Sequence, residues 1–195
     1  MSDPYFFGYG SLVNRATHGY AQAHRARVQG WRRAWRYTRF RAGPFLTAVP
    51  CPVSEIEGLV ARVPGADWRA LDEREIGYDR LPTGSQLTLA GPATQPAPAL
   101  DDTQIYAVPD AHAVPADASK EPILLSYVDV VFQGYLREFG IEGVMRFIAT
   151  TDGWDTPVLN DRAAPRYPRH QALSTEEREQ FDAVLRDLGV DLRRI

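Results

Sequence analysis

Apolar positions change their spacing about halfway along the chain. Tyr5 to Tyr9 is a short apolar, aromatic run closed by Gly10, which predicts a buried strand entering a turn. From Val28 to Phe40, aromatics and arginines come in near-alternation (Trp31, Arg33, Trp35, Tyr37, Arg39), which suits a half-exposed strand or ribbon. Phe45 to Val49 and Glu57 to Val63 predict two more strands, separated by Pro50, Pro52 and Ser54. Asp67 to Ile76 has helical composition, with Trp68, Leu71 and Glu75 at i, i+3 and i+7 on one helical face. Leu87 to Leu89 and Gln104 to Val108 are strand candidates. The Pro- and Ala-rich piece between them, GPATQPAPALDD, reads as a loop.

The later part of the chain is helical. Pro122 stands at a helix start, Leu125, Val128, Phe132, Tyr135, Leu136 and Phe139 recur at helical spacing, and Gly140 stops the run. Gly143 to Ala149 predicts a second, short helix. Ser174 and Glu177 form a capping-box pair ahead of a helix reaching about Leu188, with Gly189 beyond it. Between them, TTDGWDTPVLNDRAAPRYPRH reads as an ordered loop anchored by aromatics. Strands first and helices late argue for an α+β fold, with a mixed, largely antiparallel β-sheet or barrel and flanking helices. The expected organisation is a main domain over residues 1–149, with residues 150–195 a loop-and-helix extension packed on it.

Composition narrows the class. A chain of 195 residues, 44% hydrophobic and 24% charged, is long enough for one self-sufficient core. A net charge of −3 gives no overall attraction to nucleic acid or anionic membrane. Cys51 is the single cysteine, so an intrachain disulfide and a thiolate metal cage are both excluded; a buried, inert thiol is expected. His18, His24, His112 and His170 are dispersed without metal spacing, so no metal site is expected. The N-terminus lacks a basic segment ahead of an apolar run, and no apolar stretch approaches the ~20 residues of a membrane helix. A cytoplasmic enzyme or binding domain, without nucleic-acid or membrane partners, is the expectation. The sequence carries no signal for an oligomeric state.

Charge is uneven. No acidic residue falls between Asp3 and Glu55, yet Arg15, Arg25, Arg27, Arg32, Arg33, Arg36, Arg39 and Arg41 do. This block reads either as a basic face whose partners are acids elsewhere, or as a field favouring an anionic substrate.

Two segments are candidates for chemistry. In FGYGSL, a strand followed by Gly-Tyr-Gly-Ser can present backbone N–H groups to an anion. It is not a dinucleotide fingerprint, because Val13 stands at the third glycine position. It lacks the Gly-Lys-Ser/Thr of a phosphate loop, and Ser11 is followed by Leu12 and Val13 rather than the Gly of a hydrolase elbow. The second segment, LDEREIGYDR, crowds Asp72, Glu73, Glu75 and Asp79 with Arg74 and Arg80. It reads either as a solvated, charged helix end or as the setting of a working carboxyl. A Glu75 carboxyl turned toward the face of Trp68 and Leu71 would lose hydration, which raises its pKa and suits it to proton transfer.

Together these segments resemble the γ-glutamylcyclotransferase superfamily. Its members carry a Tyr-Gly-Ser loop after the first strand, here Tyr9-Gly10-Ser11-Leu12. They later carry Leu-Asp-x-x-Glu and then Tyr-x-Arg, here Leu71-Asp72-Glu73-Arg74-Glu75 and Tyr78-Asp79-Arg80. Val28-Gln29-Gly30-Trp31-Arg32-Arg33-Ala34-Trp35 and the Arg74-Glu75-x-Gly77-Tyr78 context are similar to the ChaC-type branch. The helix from Tyr127 to Gly140, with Gly134 inside it, resembles the late family helix. The resemblance covers about residues 5–148. Trp35 to Glu57 departs from the ChaC pattern, and Thr150 to Arg169 has no counterpart.

The resemblance implies a cofactor-independent reaction on a small γ-glutamyl substrate. The α-amine attacks its own γ-carbonyl, giving 5-oxoproline and releasing an amine, amino acid or peptide. Glu75 would take the ammonium proton and pass one to the leaving amine. The N–H groups of Gly10, Ser11 and Leu12 would hold a carboxylate or the developing oxyanion, and Tyr9, Tyr78 and Tyr127 would wall the pocket. Glutathione is one expected substrate; a γ-glutamyl amino acid or amine is another. Trp154 and the Arg162–Arg169 loop are expected at the pocket mouth. Two other classes compete: a non-catalytic binding or regulatory domain on the same fold, and a nucleic-acid contact through the Arg25–Arg41 ribbon.

Overall fold

The computed structural model describes residues 3–84, 86–91, 100–115 and 121–194. Most of the Pro-rich GPATQPAPALDD piece therefore lies outside the described residues. The chain begins with β1 (Tyr5–Gly8), all four residues buried. Two long strands follow, β2 (His24–Thr38) and β3 (Arg41–Arg62), then helix α1 (Arg69–Arg74). Next come β4 (Asp79–Pro82), β5 (Leu87–Leu89), β6 (Thr103–Ala107), β7 (Ala113–Val114) and β8 (Ile123–Leu124). The remainder is α2 (Leu125–Ala149), β9 (Thr151–Asp152), β10 (Val158–Asn160), α3 (Thr175–Leu188) and β11 (Leu192–Arg194). The main sheet runs β4-β6-β1-β3-β2-β5, with β7 and β9 also on β2. It is largely antiparallel; β1 with β6 and β2 with β9 are its parallel pairs. The α+β expectation of a mainly antiparallel sheet with flanking helices is met.

The two strands expected on either side of Pro50 and Pro52 are one, the 22-residue β3. The prolines sit at an irregularity in the ladder. Gln29 pairs with Glu55 and Trp31 with Pro50, so the residues between Pro50 and Glu55 bow out opposite Gly30. Proline's missing N–H is tolerated at such a bulge, and Gly30 takes the left-handed φ of +88° that the twist requires. Cys51 lies in this segment and is half-buried, not enclosed in the core as expected.

α2 begins at Leu125, three residues beyond Pro122, because Ile123 and Leu124 form β8 ahead of it. Gly140 breaks its helical geometry (φ +69°, ψ −175°), and a helical stretch resumes beyond it. From Leu125 to Tyr135 nearly every residue is buried, because the helix runs between the sheet and the C-terminal segment. Its polar members are satisfied accordingly. Asp129 takes Arg162, and Gln133 accepts from Asn14 and donates to Ala172 and Glu177. α3 starts at Ser174 with the reciprocal Ser174–Glu177 capping box and stops at left-handed Gly189. Val158, Phe181 and Leu185 share one apolar cluster with Phe7, Trp35, Phe132 and Phe147, and β10 pairs in parallel with β8 and β11.

Candidate active site

The site is assembled where β1 ends. Ser11, Leu12 and Val13 form a single 3-10 turn after Gly10. Its first internal bond is the Val13 N–H to the Gly10 carbonyl (3.0 Å), so the amides of Gly10, Ser11 and Leu12 precede any partner within the turn. Glycine is needed twice. A Cβ at Gly8 would lie 2.6 Å from Leu12 Cβ, and one at Gly10 would lie 2.8 Å from the Tyr127 hydroxyl. Gly134 allows α2 to approach the next turn, since a Cβ there would lie 2.7 Å from the Asn14 backbone nitrogen. Asn14 completes the seam by donating to the Val130 carbonyl and the Gln133 side chain, each at 3.0 Å. The turn is also held from below. Arg33, fully buried, donates to the Tyr9 carbonyl (3.2 Å), and the Tyr135 hydroxyl donates to the same oxygen (2.9 Å).

Glu75 arrives differently from expectation. α1 covers only Arg69 to Arg74, so Glu75 is not on a helical face with Trp68 and Leu71; it caps the helix, its N–H bonded to the Leu71 carbonyl at 2.8 Å. Gly77, at φ +95°, then turns the chain back into β4. Leu71 is completely buried and anchors the short helix, worth about 1.5–3 kcal/mol for such a side chain. Trp68 is stacked under the Arg80 guanidinium. The Glu75 side chain is 17% exposed and ion-pairs with Arg74 at 3.1 Å. Burial raises its pKa above the ordinary carboxylate range, although Arg74, Arg169 and Arg41 pull the other way.

Arg74 was not singled out from the sequence, yet it links the two segments. It donates to Ser11 Oγ (3.1 Å), to the Thr17 carbonyl (2.9 Å) and to Thr17 Oγ1 (3.2 Å) while pairing with Glu75. Its proximity to the acid was visible; that it would bridge to a turn some sixty residues earlier was not.

Tyr9, Gly10, Ser11, Leu12, Glu75, Tyr78 and Tyr127 all line one small cavity of about 30 Å³, together with Phe7, Gly8, Leu46 and Tyr106. A wider cleft of about 450 Å³ shares Ser11, Glu75, Tyr78 and Tyr127 with it. The phenols are fixed. Tyr9 donates to the Tyr106 carbonyl (2.6 Å) and accepts from the Ala48 N–H (2.9 Å), and Tyr78 donates to the Leu46 carbonyl (2.8 Å). The Tyr127 hydroxyl makes no hydrogen bond among the described residues. Burial pushes Tyr9, Tyr78 and Tyr127 above the ordinary phenol range, so all three stay protonated.

The loop expected at the pocket mouth divides. Arg166, Tyr167, Pro168 and Arg169 line the wider cleft. Trp154 does not; it packs on Trp35, Phe132 and Phe147 in the core. Half of the basic block is paired with acids elsewhere: Arg15 with Glu138, Arg27 with Glu57, Arg32 with Asp152 and Arg36 with Asp110. Arg41 lines the cleft instead. Among the described residues, no group of three or more His, Cys, Asp and Glu is placed to hold a metal ion, and no helix is long and apolar enough to cross a membrane.

A largely buried carboxyl beside turn amides that have no hydrogen-bond acceptor among the described residues, on a largely antiparallel sheet, makes a site suited to moving a proton next to a developing anion. The chain belongs to the family described as gamma-glutamyl cyclotransferase, AIG2-like, which matches residues 6–122. Its fold is similar to a solved gamma-glutamyl cyclotransferase: TM-score 0.55, 16% identity, covering 93% of this chain and 99% of that one. It is also similar to YkqA from Bacillus subtilis: TM-score 0.53, 18% identity, covering 78% of this chain and 57% of that one. An uncharacterised protein from Homo sapiens aligns with TM-score 0.50 and 14% identity over 93% of this chain and 99% of its own. Among curated proteins, none matches this chain in sequence.

Proposed function

We propose that this protein is a γ-glutamyl cyclotransferase and that Glu75 is its acid–base residue. The observation that carries the reading is the placement of the Glu75 carboxyl, its pKa raised by burial, in one cavity with the Gly10–Leu12 turn. A substrate's α-ammonium must lose a proton before its nitrogen can attack the γ-carbonyl. A carboxylate with a raised pKa accepts that proton more readily than an ordinary one and can return it to the departing nitrogen. As the C–N bond to the leaving amine breaks and the lactam forms, the attacking nitrogen sheds a second proton. Glu75, ionised again once it has protonated the departing nitrogen, takes that proton and passes it to the freed amine. Two protons thus move from one nitrogen to the other, and the count balances without a second group. The turn amides are donors for the oxyanion formed on attack. Such preorganised donors are worth roughly 3–4 kcal/mol each. Tyr127, with an uncommitted hydroxyl, is a further donor facing Gly10. Arg74 is a positioning residue: it ties Glu75 to the turn so that base and oxyanion donors keep one geometry.

The test is 5-oxoproline release from a panel of glutathione, γ-glutamyl amino acids and γ-glutamyl-lysine. Release from at least one member is expected. Tight binding of a panel member without any release would instead favour a binding domain on the same fold.

A further inference from the structure

Next to the Glu75 cleft lies a separate pocket of about 150 Å³ walled by Trp35, Pro44, Pro122, Ile123, Tyr127 and Tyr167. It is not isolated. Arg41, Leu124, Tyr127 and Tyr167 line both it and the cleft that contains Glu75. These four residues are the wall common to the two, so a group attached to a substrate in the cleft would enter this pocket beside Tyr127 and Tyr167.

Size and chemistry limit what fits. An apolar cavity of about 150 Å³ is what one benzene ring fills. Tyr127 meets Tyr167 edge-to-face (4.9 Å, 89°) and Trp35 in the same manner (5.8 Å, 75°). A third ring adds to such a cluster with the same preference.

Charge adds a second requirement. The Arg41 guanidinium is fixed by the Gly43 and Pro44 carbonyls (3.3 and 2.7 Å) and lies 3.7 Å over the Phe45 ring. Among the described residues no carboxylate is ion-paired with it. Glu121 lines the pocket but not the cleft, so a ligand carboxylate is favoured on the Arg41 side.

We propose that this pocket receives the leaving amino acid of a γ-glutamyl dipeptide, with an aromatic side chain among Trp35, Tyr127 and Tyr167 and its carboxylate on Arg41. This rests on the cyclotransferase reading above, and the two are tested separately. Three ligands are compared: γ-glutamylphenylalanine, γ-glutamylglycine and γ-glutamylphenethylamide, which keeps the ring and lacks the leaving-group carboxylate. Binding is measured calorimetrically on the Glu75→Gln protein, and 5-oxoproline release on the protein with Glu75 intact. The phenylalanine compound should bind about tenfold more tightly than the glycine compound through ring burial. It should bind about tenfold more tightly than the phenethylamide through a charge-assisted bond. Adding Arg41→Gln should weaken the phenylalanine compound at least about fivefold more than the phenethylamide, a coupling that general disruption would not produce. Equal binding of the glycine and phenylalanine compounds overturns the pocket assignment and leaves the reaction standing. Equal weakening of both ring-bearing ligands by Arg41→Gln overturns the role of Arg41. The expected binding order without 5-oxoproline from any ligand supports the pocket and overturns the reaction.

Discussion

A buried ion pair ties the segment after β10 to α2, and Arg162→Ala tests how much stability it carries. Arg162 reaches both oxygens of Asp129 at 2.7 Å each, and it also binds Asp182. Asp129 is only 5% exposed and Arg162 12%, so little solvent screens them. Burial, with Asp182 and Asp161 nearby, already pushes the Asp129 pKa up despite Arg162. Removing the guanidinium leaves Asp129 inside α2 without its cation, which costs about 3–5 kcal/mol. For a chain of this length each kcal/mol shifts the melting temperature by about 2–4 °C, so the variant should melt roughly 6–20 °C lower at pH 7. The sign of the pH dependence is fixed. Without Arg162 the folded pKa of Asp129 is raised further above its unfolded value, so the protonated form is favoured by folding. The deficit should therefore shrink as pH falls and Asp129 becomes neutral, and grow as pH rises through the folded pKa. Arg162→Met with Asp129→Leu should recover most of the loss, because no buried charge remains. Melting curves of the unchanged protein and the two variants from pH 4 to 8 make the comparison. A single-variant cost under about 1 kcal/mol that is independent of pH would refute the reasoning.

Three further outcomes are expected. The rate of 5-oxoproline release should fall on the acid side with a midpoint above the ordinary carboxylate range, because Glu75 must be ionised to accept a proton and burial raises its pKa; a pH–kcat/KM profile flat down to pH 4 contradicts this. Gly10→Ala should lower turnover at least about tenfold with the fold intact, because the new Cβ would lie 2.8 Å from the Tyr127 hydroxyl; kinetics beside a circular dichroism spectrum separate the two effects. Tyr9→Phe removes the hydroxyl that partners the Tyr106 carbonyl and the Ala48 N–H in the core, costing about 2–6 kcal/mol in urea unfolding at roughly 1–3 kcal/mol per lost partner.

What was legible in the sequence was local. The aromatic run Tyr5–Tyr9 ending in glycine, the Ser174–Glu177 box and the Gly140 break each rest on a few neighbouring residues, and the structure places each accordingly. Family resemblance brought Glu75 and the Tyr-Gly-Ser turn together; the helical spacing used to orient Glu75 did not describe its position, since α1 ends one residue earlier. Pro50 and Pro52 read as a strand break because a proline's tolerance at a bulge depends on a partner strand that local sequence does not reveal. β8, β10 and β11 are two or three residues each and have no periodicity, so their pairing was invisible. Arg41 could not be told from its neighbours in the basic block, because what separates it is its place on the cleft wall beside residues such as Glu75 and Tyr167, which are distant in sequence.

The central claim is that Glu75 moves the proton. Glu75→Gln keeps the size and the hydrogen bond to Arg74 while removing the basic oxygen, and general acid–base groups contribute about 10²–10⁴-fold. With the variant's circular dichroism and substrate binding matching those of the unchanged protein, 5-oxoproline release under saturating γ-glutamyl substrate should fall by that factor. Release within about threefold of the unchanged protein would contradict the account.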